Sequence, residues 1–175
     1  MKAALLNIDV QKPWAGTSPR ITSAIKEFTA KARGAMPVIW AYAHWLDLRR
    51  PLPPFEAMHA GDLAWIFNAK RDYKPALLMQ PHDWVVCKDG SNAFDKTGLD
   101  KLLKALEVDH LYMTGFMTGQ CVFMTAEDAV KYAETTLFSD LTADGVDQVF
   151  LDNGDDFARF REAGVKIMDS RHFRF

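Results

Sequence analysis

The chain of 175 residues carries 21 basic and 23 acidic side chains for a formal charge of −2, and 49% of it is hydrophobic. A chain of this length buries roughly 70% of its unfolded surface, so it builds a core without disulfide or metal staples and is no disulfide-dense miniprotein. The near-neutral balance, with no run of Lys and Arg, argues against a nucleic-acid partner.

The opening segment, Met1 to Asp9, has one Lys and a short apolar run that Asp9 interrupts. That is too brief for a signal region or a membrane span, so the expectation is a cytoplasmic protein with no membrane partner. Runs rich in Val, Ile, Leu and aromatic residues predict strands over 2–9, 36–43, 84–88, 109–115, 135–140 and 165–169. Between them, Ile21, Ala24, Ile25, Phe28 and Ala32 recur at helical spacing, with Gly34 placed to cap the end. Leu99, Leu102, Leu103 and Leu106 form a second apolar face, and Val122, Ala126, Ala129, Val130 and Ala133 a third. Strands alternating with helices define an α/β protein. No repeat or boundary divides it, so residues 1–175 are expected to form one domain.

Residues 44–83 are irregular: Pro51, Pro53, Pro54, Pro75 and Pro81 alternate with Trp45, Phe55, Trp65 and Phe67. Such an excursion is more often a pocket wall or an interface than a linker. Ligands of open parallel sheets bind beyond the carboxyl ends of the strands, where strand order reverses. Asp9, Lys88 and the loop leading to Cys121 lie at such ends. Cys121 falls at a predicted helix start with Thr118 as N-cap, a setting that favours thiolate. Taken alone, a cysteine is as well explained as a small buried hydrophobe, and a charged strand end as a solvated loop residue. Together the three supply a base, a cation and a nucleophile at one rim. Cys87 neighbours Lys88 and so points to the opposite face of its strand, into packing. Without an export signal, the two thiols are expected to be free.

The segment Leu5-Leu6-Asn7-Ile8-Asp9-Val10-Gln11 resembles the first-strand motif of the isochorismatase-like cysteine hydrolases, relatives of nicotinamidases and N-carbamoylsarcosine amidohydrolases. Lys88 to Leu99, with Ala93-Phe94 and Thr97-Gly98-Leu99, is similar to the family's lysine motif. Thr114 to Val122, followed by Thr125-Ala126-Glu127-Asp128-Ala129, resembles its nucleophile loop and helix. The resemblance implies a Rossmann-like three-layer fold with a mostly parallel six-stranded sheet flanked by helices. It also implies a Cys121, Asp9 and Lys88 triad that cleaves a carbon-nitrogen bond of a small amide or carbamoyl compound through a thioester. The oxyanion donors would be the backbone N–H groups of Met117 and Cys121, with a cis peptide between Phe116 and Met117. Trp14 and Phe116 would face the substrate, no cofactor would be needed, and the chain would form a dimer or larger homo-oligomer.

The chain also departs from the pattern. Many relatives carry an Asp where this chain has Gly119. The metal-binding Asp-x-His spacing of nicotinamidase-type members is absent around His44, Asp47 and His59, so no metal is expected. Trp40 is expected in the core, and Trp45 and Trp65 in a pocket wall or between subunits. Arg49 and Arg50 suit a carboxylate clamp or a solvated surface, while Asp152, Asp155 and Asp156 suit the start of the last helix. Two rival readings stay open: vinyl-ether hydrolysis of isochorismatase type that does not need the cysteine, and a relative that binds small molecules or acts as a scaffold without turnover.

Overall fold

Strands whose residues are apolar without alternation are buried on both faces, the condition of a parallel sheet covered by helices on each side. The computed structural model, which describes residues 1–43, 58–59, 79–144 and 157–175, has this arrangement. Its strands are β1 (Ala3–Ile8), β2 (Val38–Ala43), β3 (Met58–His59), β4 (Trp84–Lys88), β5 (His110–Phe116), β6 (Glu134–Ala143) and β7 (Lys166–Met168). They lie in the order β3-β4-β2-β1-β5-β6-β7. Six are parallel, as expected, and the two-residue β3 adds an antiparallel edge beside β4. The helices among the described residues are α1 (Lys12–Ala15), α2 (Pro19–Ala32), α3 (Leu99–Ala105), α4 (Phe123–Ala129) and α5 (Ala158–Glu162). His44, Trp45, Asp47, Arg49, Arg50, Trp65 and the acidic group Asp152, Asp155 and Asp156 lie outside the described residues, as does most of the proline-rich excursion.

The helices cover the sheet in two layers. Ile21, Ile25 and Phe28 of α2 pack with Leu5, Trp40, Tyr112 and Phe138 on one face, which places Trp40 in the core as predicted. Leu99 and Leu102 of α3, Ala126 of α4 and Phe160 of α5 pack with Leu6, Ile39, Val86 and Met113 on the other. Two differences from the predicted elements have local causes. The four-residue α1 is too short to show a helical period. Strand β6 runs past 140 because its pairing with β5 shifts register between Met113 and Gly115 and then resumes at Thr142 and Ala143.

Two contacts fix β1 against β5. Asn7 stands opposite Thr114 in the ladder, accepts its hydroxyl at 2.6 Å, and donates to Thr29 of α2 at 3.3 Å. Gly115 has φ +123°, and a Cβ there would come within 2.1 Å of the Ile8 carbonyl oxygen. Only glycine allows that conformation and that approach.

Candidate active site

The chain passes from β1 to β2 and β4 on one side, then returns across β1 to β5 and β6 on the other. Strand order therefore reverses between β1 and β5, and the predicted site residues gather at the carboxyl ends there. Strand β1 stops at Asp9, whose φ of 48° is left-handed, a conformation that Asp tolerates better than most residues. The Asp9 carbonyl accepts the Gln11 N–H at 2.7 Å. The Gln11 side chain then pairs with both backbone groups of Ala43, accepting at 2.9 Å and donating at 3.1 Å. This stitch ties the ends of β1 and β2 together beneath the carboxylate.

Lys88, at the end of β4, reaches Asp9 Oδ2 with its Nζ at 2.8 Å, and both side chains are almost wholly removed from solvent, at 0% and 2% exposure. Its Nζ also donates to the Gly90 carbonyl at 2.9 Å. A charge so buried persists only when paired. The contact is one of charge more than of direction, because neither Asp9 oxygen receives a well-aligned hydrogen bond. Burial pushes the Asp9 carboxyl above its ordinary range, and the Lys88 charge pulls against it, with smaller help from Cys121 and the Ala43 backbone.

Cys121 lies in a π-helical turn, Thr118–Val122, that leads directly into α4. Its N-cap is Met117, and no side chain caps it. The predicted cap, Thr118, instead shares a hydrogen bond with Thr142 at 2.8 Å. The expected shift toward thiolate is reversed in this resting site. Burial and then the Asp9 carboxylate raise the thiol, and the opposing pull of Lys88 and a hydrogen bond from Ser91 do not cancel them. At neutral pH the sulfur holds its proton. Cys87 is free and buried on the far face, as expected, with its thiol pushed up to about 12 by burial and by Asp89. Cys121 is also free.

A cavity of about 380 Å³ opens between these ends, with Asp9, Cys121 and Trp14 on its walls beside Ser91, Met117 and Gln120. Trp14 lies on this wall. Phe116 does not: it is fully buried with Leu5, Val10 and Phe138 under α2. Strand β5 runs on through Phe116, so that ring belongs to the sheet core and Met117 is the residue that reaches the wall. The peptide between Phe116 and Met117 is cis, and the Met117 carbonyl accepts the N–H groups of Gln120 and Val122 at 3.1 Å each.

Sequence reasoning passed over Ser91 and its supports. Asn92 accepts the Phe94 N–H at 2.9 Å and donates to Asp128 at 2.5 Å, while the Thr125 hydroxyl accepts the Ala93 N–H at 3.0 Å. These contacts bind the lysine loop to α4. A polar Ser-Asn pair directly after the lysine strand was the available signal.

His59, the one of His44, Asp47 and His59 that is described, has its ring 3.9 Å from that of Trp84 at a 32° tilt and its Nδ1 3.2 Å from the His82 carbonyl. Trp84 is at the opposite end of β4 from Lys88, about 13 Å away at strand rise. No group of three or more His, Cys, Asp or Glu is arranged for a metal among the described residues. No described helix is long and apolar enough to cross a membrane.

Residues 3–148 match the isochorismatase domain, and the chain belongs to the isochorismatase-like hydrolase family. The fold is shared with a pyrazinamidase of Pyrococcus horikoshii solved in complex with zinc, at TM-score 0.71 and 18% identity over 97% of this chain and 99% of that one. It is shared too with an N-carbamoylsarcosine amidase from Thermoplasma acidophilum, at TM-score 0.67 and 21% identity over 100% of both chains. In sequence, the chain is 31% identical over 90 residues to the ureidoacrylate amidohydrolase RutB of Variovorax paradoxus (strain S110), a match spanning 51% of this chain and 34% of that protein.

Proposed function

We propose that this chain is a single-domain cysteine hydrolase, cleaving a carbon-nitrogen bond in a small amide or carbamoyl-type molecule with Cys121, Asp9 and Lys88. The observation that carries this reading is that Asp9, held by the buried Lys88, and the half-buried Cys121 line the same cavity. The amidase and amidohydrolase names of the relatives support the substrate class.

In the free site the thiol is neutral and the carboxylate is held by Lys88. When a carbonyl enters, Asp9 takes the thiol proton and the sulfur attacks the carbonyl carbon. Negative charge moves from sulfur to the carbonyl oxygen, where the N–H groups of Met117 and Cys121 receive it. Donors of this kind typically contribute about 3 to 4 kcal/mol each to the transition state. Asp9 returns the proton to the nitrogen, which leaves as ammonia or an amine, and a thioester remains. Water, deprotonated by Asp9, cleaves the thioester and regenerates the thiol. Lys88 keeps the carboxylate in place and offsets negative charge throughout. A homo-oligomer, as the family resemblance implies, is part of the same proposal.

One observation favours a second reading. Burial raises the Asp9 carboxyl, and a protonated acid in this place suits protonation of a vinyl ether without the cysteine. A screen of small amides, ureido acids and carbamoyl compounds for ammonia release, and of vinyl ethers for release of the carbonyl product, run with Cys121→Ser and Cys121→Ala, separates the two. Loss of turnover in both variants supports the thioester route. Full activity of Cys121→Ala overturns it in favour of the acid mechanism.

A further inference from the structure

Gly119 lies two residues before the nucleophile, at the position where the resembling motif often carries an acid. The structure brings a carboxylate to this place from another part of the chain. Asp144, directly after β6, accepts the Gly119 N–H on Oδ1 at 2.8 Å. Arg159 of α5 donates from Nη2 to the Gly119 carbonyl, also at 2.8 Å. Both polar groups of this residue are therefore held from outside the loop. The Arg159 guanidinium also lies 4.1 Å over the ring of Phe123, the first residue of α4, so it grips the chain on both flanks of Cys121. A Cβ on Gly119 would stand 2.8 Å from Asp144 Oδ2 and 3.1 Å from Arg159 Nη2. The glycine is what lets the carboxylate and the guanidinium close on the backbone.

We infer that Asp144 and Arg159 are positioning residues for the reaction, clamping the Gly119 peptide so that the Cys121 sulfur and N–H keep their orientation toward Asp9 and the cavity. This inference rests on the proposed cysteine chemistry. From the same side, Thr118 meets Thr142 at 2.8 Å, and Thr142 donates to the Gly115 carbonyl at 2.9 Å. All of these supports come from the end of β6 and from α5, so the loop's geometry is set by distant sequence. Misplacing a nucleophile by about 1 Å typically costs on the order of a hundredfold in rate.

The test compares Asp144→Ala, Asp144→Asn, Arg159→Ala and the unaltered full chain by two readouts. The first is the rate of Cys121 alkylation by iodoacetamide against pH, located by peptide mass. The second is kcat and KM on whichever amide the unaltered chain turns over. Asp144→Ala is expected to move the alkylation rate at fixed pH by threefold or more and to lower kcat at least tenfold with KM changed less than threefold. Asp144→Asn keeps an oxygen acceptor and should recover most of both effects, and Arg159→Ala should fall between. Superimposable alkylation profiles for Asp144→Ala and the unaltered chain overturn the inference. So does a loss that Asp144→Asn fails to recover while the melting temperature falls in parallel. If no amide is turned over at all, the proposed function fails, and the alkylation comparison still decides the clamp.

Discussion

Replacing Asp9 by Asn separates the reactivity of the thiol from the turnover of the site. In the resting protein the Cys121 thiol is raised first by burial and then by the Asp9 carboxylate, while Lys88 pulls it down. Asn keeps the volume and removes the charge, so Lys88, 0% exposed in its side chain, is left facing the sulfur. The thiolate becomes its natural counterion, and the midpoint of Cys121 alkylation must move to lower pH. Turnover moves the other way, because the general base is gone. Such bases contribute about a hundredfold to ten-thousandfold, or about 3 to 5 kcal/mol of barrier. Breaking the buried pair also costs about 3 kcal/mol of stability even with the Gly90 carbonyl still accepting from Lys88, which lowers Tm by roughly 6 to 12 °C in a chain of this size. The assay is alkylation against pH on the variant and the unaltered chain, paired with ammonia release and a thermal melt. An alkylation midpoint that stays or rises in Asp9→Asn, or turnover within threefold of the unaltered chain, refutes the reasoning.

Lys88→Met leaves the buried Asp9 carboxyl without the charge that opposes desolvation, so the folded form binds its proton more tightly than the unfolded form does. The stability tied to that proton is complete below the unfolded carboxyl pKa and lost as pH rises through the folded one. The deficit of Lys88→Met against the unaltered chain should therefore shrink as pH falls from neutral toward the ordinary carboxylate range in denaturant titrations, and a deficit that grows on acidification contradicts the assignment. Gly115→Ala puts a methyl within 2.1 Å of the Ile8 carbonyl at φ +123°. A loss of at least about 3 kcal/mol is expected by thermal or urea unfolding, and a melt unchanged within a degree or two would contradict it. Cys87, with its thiol pushed up to about 12, should stay unalkylated in the same samples until the chain unfolds. Labelling of Cys87 at the rate of Cys121 in the native protein would show that the far face of the sheet is open.

What the sequence discloses and what it hides divide along physical lines. The strand cores were readable because Leu5, Ile39, Val86 and Leu111 belong to unbroken apolar runs, and α2 because its buried residues keep a helical period. Asp9 and Lys88 stood out as charges ending apolar runs, but a strand-end charge is as well explained by solvent, and only with Cys121 and the three motifs did they point to one rim. Thr118 misled because a Thr three residues before a cysteine has the composition of an N-cap, whereas its hydroxyl is engaged by Thr142, a partner fixed by the sheet. Phe116 misled because one residue of strand length decides which of two neighbours is core and which is wall. The direction of the Cys121 shift depends on burial and on a carboxylate 112 positions earlier in the chain, and neither quantity is local. Gln11, Asp144 and Arg159 were invisible as supports because each acts on backbone groups far from it in sequence.

The polar bridge from Asn7 to Thr114 bears on how the chain finds this arrangement. These two residues are ladder partners in the buried middle of the sheet, and a parallel pairing slipped by one residue would turn Asn7 toward the opposite, hydrophobic layer with its amide unmet. Such a slip would also carry Asp9 away from the end of β5 and the loop that bears Cys121. A mispaired sheet thus loses on two counts at once, through an orphaned amide in the core and a displaced acid at the rim. The amide therefore acts as a proofreader of strand alignment: the register it penalises least is the one that brings Asp9 and the Cys121 loop to the same cavity.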